Sequence, residues 1–500
     1  MFAKYLRALS LFGAVTVLGS VVLAEEVSHG RWWSPGDGER FQNSQSYPNE
    51  FGVSTVLLAG ETLDTEKHPF FAPLGKNQRG CVTCHQPTDG MSLALSTIQK
   101  RWQDTQGKDP LFAAIDGSNC PTLPQQKSES HSLLLEHGLF RIQRPWPPKS
   151  RNGKPVIPDF NLEVVRDPWG CNTGSEFGLH SNNPSVSVYR RPRMVANLKY
   201  LTAVGFAYDP KQGMPLALDA NSKQPLSGNL MADNRVDTLA EQMQDAAATH
   251  LELTQALTQQ QRVEIEDFIS RVYAAQSASH QGGLLSDGAV GGPELLRDST
   301  PGQLGSIGRA VWGEFAQWEN ISEQEKSKLS QEQLAFRQSV ARGARVFREK
   351  TFLITDSAGI NSPVGFGNPV RNSCVFCHNM SQIGVDVAPG QVDLGTNNMP
   401  FADPAPHLPL FKITCLKEPH PHYGPVIYSH DPGFALTTGR CADVGKITLQ
   451  SMRSLAARAP YFANGSAKNL AELVDYYDRR YNIGYSEQEK QDLINLMSAL

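Results

Sequence analysis

The motif Cys-X-X-Cys-His occurs twice in this 500-residue chain, at residues 81–85 and 374–378. Two thiols at this spacing can form thioether bonds to the vinyl groups of a haem, and the adjacent histidine then lies under the iron as its axial ligand. A redox-active thiol pair would not repeat with a histidine each time, and a zinc site would gather all four cysteines at one centre. The motifs therefore predict two covalent c-type haems. The predicted attachment residues are Cys81, Cys84, His85, Cys374, Cys377 and His378.

The first 24 residues have the composition of a cleavable secretory signal. Lys4 and Arg7 come before an uncharged apolar run at residues 8–23, and the small residue Ala24 follows that run. The run is short for a membrane span, which favours cleavage after Ala24 over an uncleaved anchor. We therefore expect an exported, periplasmic protein without stable membrane insertion.

Composition and charge are those of a soluble globular protein. The chain is 40% hydrophobic and 19% charged, and its formal net charge is −4 at pH 7. A mildly acidic chain without a basic block argues against a nucleic-acid partner. Because 500 residues exceed one compact core, we expect at least two domains.

Four cysteines lie outside the two motifs, namely Cys120, Cys171, Cys415 and Cys441. Four cysteines permit three pairings, and disulfides are stable in exported proteins. We expect the pairings that stay within one half of the chain, Cys120–Cys171 and Cys415–Cys441. Buried free thiols are the alternative.

Each half of the chain carries one motif, which predicts two haem domains. We expect an N-terminal domain over residues 25–276, with an irregular, proline-rich insertion at 86–185, and a C-terminal domain over 309–500. Residues 277–308 are rich in Gly, Ser, Asp and Pro and are expected to form a linker. Because alternating strand-like runs are scarce, we expect a mainly α fold of two cytochrome c-type domains with long irregular loops.

An internal repeat supports two related domains. Residues 230–241 (LMADNRVDTLAE) align without gaps to residues 461–472 (YFANGSAKNLAE). Each copy is followed by a capping box and an apolar helical face. The first box is Thr258 with Gln261, ahead of Val263, Ile265, Phe268, Ile269 and Val272. The second is Ser486 with Glu489, and we expect both helices to pack over a haem.

Three segments of the C-terminal half resemble the bacterial di-haem cytochrome c peroxidases. They are DPGFALTTG at 431–439, MRSLAARAPYFANGS at 452–466 and LAELVDYY at 470–477. This family includes MauG, which oxidises tryptophan residues of a partner protein. The resemblance covers both predicted domains and is weakest over residues 86–185. It implies hydrogen peroxide as a substrate, a small electron-donor protein or a protein substrate as a partner, and a homodimer as an assembly found in the family.

The resemblance also implies different roles for the two haems. The C-terminal haem, on His378, would relay electrons, and Tyr477 corresponds to its sixth ligand, which is methionine in typical peroxidases and tyrosine in MauG. The N-terminal haem, on His85, would reduce peroxide with Glu252 as the distal acid–base group. Tyr477 could instead be a core aromatic of an amphipathic helix, and Glu252 a solvated carboxylate at a helix end.

The sequence departs from the family at two positions between the haems. The family's inter-haem tryptophan corresponds to Ala232, so electrons would need another route, for example through Trp102. The asparagine that helps to bind calcium corresponds to Arg191. A calcium ion would then keep only the carbonyl groups of Arg458 and Pro460 from this set.

These features together predict an exported di-haem oxidoreductase that reduces hydrogen peroxide at the N-terminal haem. Two alternatives stay open. One is a MauG-like oxidase or oxygenase of a protein or organic substrate, and the other is a di-haem electron-transfer cytochrome without catalysis. His407, His420, His422 and His430 precede these three segments and could supply a different sixth ligand.

Overall fold

A computed structural model describes residues 32–149, 153–203, 226–286, 291–301, 310–361, 366–386 and 390–500. The predicted signal segment, residues 1–24, lies outside these ranges. Within them, no helix is both long and apolar enough to cross a membrane.

Runs of strands and runs of helices follow one another along the chain, and long irregular connections join them. The helices are α1 (Leu95–Thr105), α2 (Ala114–Gly117), α3 (Ser132–His137), α4 (Leu198–Leu201), α5 (Leu239–His250), α6 (Gln259–Arg271), α7 (Gly292–Asp298), α8 (Glu323–Lys326), α9 (Gln331–Glu349), α10 (Ala435–Thr438), α11 (Leu470–Tyr481) and α12 (Glu487–Ser498). The strands are β1 (Arg40–Phe41), β2 (Ser44–Asn49), β3 (Gly52–Leu58), β4 (Leu63–Asp64), β5 (Phe140–Pro145), β6 (Phe160–Arg166), β7 (Ser185–Arg190), β8 (Val272–Ser279), β9 (Gly283–Leu284), β10 (Phe352–Ile354), β11 (Val370–Asn372), β12 (Gln391–Val392), β13 (Leu410–Cys415), β14 (Val426–Ser429) and β15 (Ile447–Thr448).

The expectation of a mainly α fold is wrong. The structure is 32% helical and 18% strand, and the strands form several sheets. One sheet has the order β2-β3-β8-β9 and another the order β14-β13-β6. Many strands are short and carry polar residues on buried faces; β7, with the sequence SVSVYR, is buried along its whole length. Seven of the described strands have only two or three residues, too few for hydrophobic periodicity to indicate them. The longer strands β6 (FNLEVVR) and β7 do alternate apolar with polar residues, and the sequence prediction overlooked them.

The first hydrophobic core packs α5 and α6 against β3 and β8. The ring of Phe268 lies 4.8–5.3 Å, centroid to centroid, from those of Phe41, Phe70 and Phe71. The predicted capping box of Thr258 and Gln261 is confirmed at the start of α6. Ile265, Phe268 and Ile269 of the predicted face are buried, whereas Val263 is exposed and Val272 begins β8.

The second core packs α9 against α12 in the C-terminal half. Gly343 of α9 lies so close to α12 that a methyl group there would overlap the carbonyl oxygen of Asp492. The capping box of Ser486 and Glu489 is confirmed at the start of α12, which buries Leu493, Leu496 and Met497. The chain ends in this core, at Leu500.

The insertion at 86–185 packs against the C-terminal half. Strand β6 pairs antiparallel with β13, and buried residues of both segments form a third core. Both predicted disulfides, Cys120–Cys171 and Cys415–Cys441, are confirmed. The predicted linker at 277–308 contains the end of β8, β9 and α7. The division into two haem domains stays a prediction.

Candidate functional site

The two CxxCH motifs adopt the same local backbone. Each begins with a 3₁₀ turn, Cys81–Thr83 in the first and Cys374–Phe376 in the second. In each motif the histidine N–H donates to the carbonyl oxygen of the first cysteine, at 3.1 Å. This compact turn places both cysteines and the histidine on the wall of one cavity.

Each cavity is large and mostly apolar. The first cavity, at His85, contains about 1610 Å³ of atom-free space with its mouth included, and the second, at His378, contains about 1460 Å³. Apolar wall residues of the first cavity include Phe70, Leu198, Leu239, Met243 and Leu257. Those of the second include Phe347, Phe352, Leu455, Val474 and Met497. Two thiols and an imidazole on such a wall fit a covalently attached haem.

Both motif histidines favour the neutral form that an axial ligand needs. Burial, and then His250, lowers the pKa of His85 to about 4, and burial lowers the pKa of His378. Nδ1 of His378 lies 2.6 Å from the carbonyl oxygen of Gly384. A carbonyl oxygen can only accept a hydrogen bond, so Nδ1 of His378 carries the proton. Nε2 then keeps its lone pair for a metal.

The internal repeat places equivalent segments on the two cavities. Residues 230–232 and helix α5 line the first cavity, and residues 461–463 and helix α11 line the second. Extending the repeat alignment along these helices makes Ala246 the counterpart of Tyr477. One position of the lining helix therefore carries a methyl group in the first cavity and a phenol in the second.

Tyr477 lies within an aromatic cluster of the second cavity. Its ring centroid is 5.9 Å from that of Phe462 and 6.4 Å from that of Tyr481. Burial raises the pKa of Tyr477 well above its ordinary value, and Tyr481 and the motif cysteines add to the effect. The phenol is therefore neutral unless a cation contacts its oxygen.

The other histidines considered as ligands lie away from this cavity. His407 stacks on His137 with a centroid distance of 3.9 Å, and Nδ1 of His430 lies 2.7 Å from the carbonyl oxygen of Pro409. None of the four is among the described residues that line the second cavity: His407, His420, His422 and His430.

Glu252 does not reach the first cavity in this structure. Helix α5 ends at His250, and the chain turns through a left-handed conformation at Glu252, with φ of +50°. The side chain of Glu252 is exposed, whereas His250 and Leu251 are among the described wall residues. The catalytic role of Glu252 stays a prediction.

A buried network instead holds His250, and sequence reasoning missed it. Nδ1 of His250 lies 2.5 Å from Oδ2 of Asp116, whose Oδ1 pairs with Arg79. Burial acts to raise the pKa of Asp116, but Arg79 and His250 hold it below its ordinary value. The ionised carboxylate accepts a hydrogen bond from Nδ1–H of His250. The lone pair of Nε2 is then available to accept a proton. Because Asp116 belongs to the insertion, no local sequence signal pairs it with His250.

The two cavities share one wall. The residues that line both are Arg191, Pro192, Leu449, Gln450 and Ser451. Ala232, the position that the resemblance places between the haems, is among the described wall residues of the first cavity but not of the second. Trp102 is not among the described wall residues of either cavity, because it packs on Phe112 and His131. The protein between the cavities is therefore the shared wall and not Trp102.

The residues around Arg191 do not fit a calcium ion. Its guanidinium donates from Nη1 to the carbonyl of Gly138 at 3.2 Å. From Nη2 it donates to those of Leu93, Arg458 and Ala459 at 2.5, 3.1 and 3.3 Å. A second cation beside the carbonyl of Arg458 would be repelled by this charge. In the part of the chain that the structure describes, no three His, Cys, Asp or Glu side chains group together as a metal site.

Comparison with known proteins finds a similarity to a peroxidase. No protein-family model matches the chain. Over 148 residues it is 34% identical to the cytochrome-c peroxidase IdrP1 of Pseudomonas sp. (strain SCT). The match covers 26% of this chain, and the chain spans 37% of the length of that relative. The similarity supports a peroxidase-like oxidoreductase with haem as its cofactor. The family that it supports is that of the cytochrome c peroxidases.

Proposed function

We propose that the protein is an exported di-haem c-type cytochrome that reduces hydrogen peroxide. The haem-binding residues would be Cys81, Cys84, His85, Cys374, Cys377 and His378. Bound haem supplies an iron that exchanges single electrons. The observation that carries the proposal is the repetition of one thiol–imidazole set, in one backbone conformation, on two large apolar cavities.

The difference between the cavities supports a division of labour. An electron carrier keeps six-coordinate irons, whereas a peroxide-reducing site needs an open face and a nearby acid–base group. Ala246 offers no ligand atom to the first cavity, which also contains His250. Tyr477 offers a phenol oxygen to the second. We therefore assign peroxide to the first cavity and electron relay to the second.

Proton transfer in the first cavity is assigned to His250. Reduction of peroxide to water requires that the departing oxygen gain a proton. Nε2 of His250 can take a proton from one peroxide oxygen and return it to the other, while Asp116 fixes the ring and its tautomer. Glu252 is the second candidate. It lies two residues beyond His250, and the Glu252→Gln variant tests it.

We also propose where the protein is located and which proteins it contacts. The signal-like residues 1–24 and the two disulfides both favour the periplasm. The electrons would come from a small donor protein. A homodimer is the assembly that the resemblance implies.

One observation favours a second candidate function. Tyr477 lines the second cavity, and the resemblance makes it the counterpart of the tyrosine ligand of MauG. A MauG-like enzyme would oxidise a protein or organic substrate and would turn over peroxide without a cytochrome donor. Product analysis of a protein partner after peroxide treatment distinguishes this candidate from a peroxidase.

The proposal is tested on the purified holoprotein. Mass spectrometry under denaturing conditions should show a chain cleaved after Ala24 that carries two haems. Cys84→Ala should change the attachment of the haem at the first motif, and Cys377→Ala that of the haem at the second. Peroxide should then oxidise a reduced cytochrome donor, and loss of the first haem should abolish this activity. Two six-coordinate haems that do not respond to peroxide would leave a plain electron-transfer cytochrome and overturn the proposal.

A further inference from the structure

Arginines outnumber carboxylates around the wall that the two cavities share. Arg144, Arg190 and Arg235 are matched by carboxylates. Their ion pairs, at 2.6–3.2 Å, are Arg144–Asp233, Arg190–Asp233, Arg190–Asp431, Arg235–Asp233 and Arg235–Asp245. Three further arginines, Arg191, Arg193 and Arg458, form no ion pair with any carboxylate in the described ranges. Within the described residues, these three positive charges therefore have no carboxylate in direct contact.

Carbonyl groups hold these three side chains in place without neutralising them. Arg193 donates from Nη1 to Met231 at 2.7 Å and from Nη2 to Leu449 at 3.1 Å. Arg458 donates from Nε to Arg453 at 3.2 Å and from Nη2 to Ser451. Within the described residues, Nε of Arg193 and Nη1 of Arg458 have no hydrogen-bond acceptor. Each guanidinium thus keeps a donor for a ligand.

Burial makes these charges costly. It lowers the pKa of Arg191 and of Arg193 to about 9, with nearby arginines adding to the effect, and it lowers the pKa of Arg458 to about 10. Asp89 partly offsets this effect at Arg191, and Asp233 does so at Arg193, but in the described residues neither carboxylate forms an ion pair with these arginines. The carboxylate of Asp89 accepts instead from Ala94 N and Thr97 Oγ1, both at 2.8 Å. Buried charge is tolerated when it is paired, so the wall is suited to an anion.

The position of each arginine indicates which anion this wall would bind. Arg193 lines the first cavity, Arg458 lines the second, and Arg191 lines both. A haem carries two propionate groups, so two haems would bring four carboxylates. We propose that Arg191, Arg193 and Arg458 form a carboxylate-binding site that holds haem propionates in the wall between the cavities. This inference rests on the proposed function, because it needs haem in both cavities.

Arginines that hold the propionates should also affect the midpoint potentials of the two haems. A cation near a haem favours the reduced iron, which carries one positive charge fewer, and so raises the midpoint potential. Replacing Arg193 should therefore lower the midpoint potential of the first haem, and replacing Arg458 that of the second. Replacing Arg191 should lower both.

The test is a spectroelectrochemical titration of the holoprotein, with each haem assigned by its electron paramagnetic resonance signal. Arg193→Gln should lower the midpoint potential of the first haem alone, Arg458→Gln that of the second alone, and Arg193→Lys should restore most of the loss. The control is Arg144→Gln, since Arg144 is buried and ion-paired but is not among the described wall residues of either cavity. It should leave both potentials unchanged.

Several outcomes would overturn the proposal. Unchanged potentials in the glutamine variants would do so, as would equal effects of lysine and glutamine at position 193. If the midpoint potentials change when phosphate is added, the three arginines bind a free anion and not the propionates. If Arg193→Gln fails to fold, Arg458→Gln gives an independent test. If the protein binds two haems but the potentials stay unchanged, only the propionate site is refuted. If the protein binds no haem, the proposed function is refuted as well.

Discussion

Asp116→Asn separates the positioning of His250 from the stability of the insertion. The Arg79 side chain is completely buried and that of Asp116 is 2% exposed, so this ion pair is shielded from water. Asparagine keeps the size of aspartate but removes its charge. The substitution leaves Arg79 uncompensated and replaces the carboxylate that accepts the Nδ1 proton of His250.

The expected magnitudes follow from this burial. Removing one partner of a buried ion pair costs about 3–5 kcal/mol of unfolding free energy. At roughly 2–4 °C per kcal/mol for a domain of 150–250 residues, Tm should fall by about 6–20 °C. A positioned acid–base group contributes about 10²–10⁴-fold to a rate. We therefore expect kcat/KM for peroxide to fall at least about 100-fold, which corresponds to ~2.7 kcal/mol.

Asp109→Asn is the matched control. Asp109 pairs with Arg101 in the same insertion, with side-chain exposures of 5% and 0%, and neither residue is among the described residues around the first cavity. Both variants should lose similar stability in thermal unfolding. Donor oxidation at 25 °C, normalised to bound haem, should change less than about twofold in Asp109→Asn. Equal rate losses in the two variants, or an unchanged rate in Asp116→Asn, would refute the positioning of His250.

Three further predictions concern ligation and stability. Tyr477→Phe removes the phenol oxygen and should change the electron paramagnetic resonance signal of the second haem while leaving the first unchanged. Replacing Cys120 and Cys171 by serine should cost about 2–4 kcal/mol, measured as a lower denaturant midpoint of the holoprotein. Burial, with neighbouring histidines, lowers the pKa of His407 to about 4. Because the unfolded chain then binds more protons, stability should fall as pH drops from about 6.5 to 4, and His407→Gln should lose less stability over this range than the wild type does.

Features set by neighbouring residues could be predicted from the sequence. The capping boxes at Thr258 and Ser486 depend on residues three positions apart, and both are present. The disulfide pairings followed from the expectation that cysteines pair within their own half of the chain. The internal repeat also pointed to the helices that line the two cavities.

Features set by distant residues could not be predicted in this way. Asp116 is 134 positions from His250, and Lys412 on β13 lies 249 positions from Glu163 on β6. Chain periodicity does not encode such pairings, so the sheets and the His250 network were missed. The role of Glu252 stays a prediction, since its exposed side chain follows the end of α5.

The central claim is that two haems occupy unlike sites, one open to peroxide and one ligated on both faces. Electron paramagnetic resonance of the resting and half-reduced holoprotein, with and without peroxide, tests it most directly. We expect two distinct signals: the first haem should show an open, high-spin form that peroxide alters, and the second a form that depends on Tyr477. Two low-spin, six-coordinate haems that stay unchanged with peroxide in both states would contradict the account.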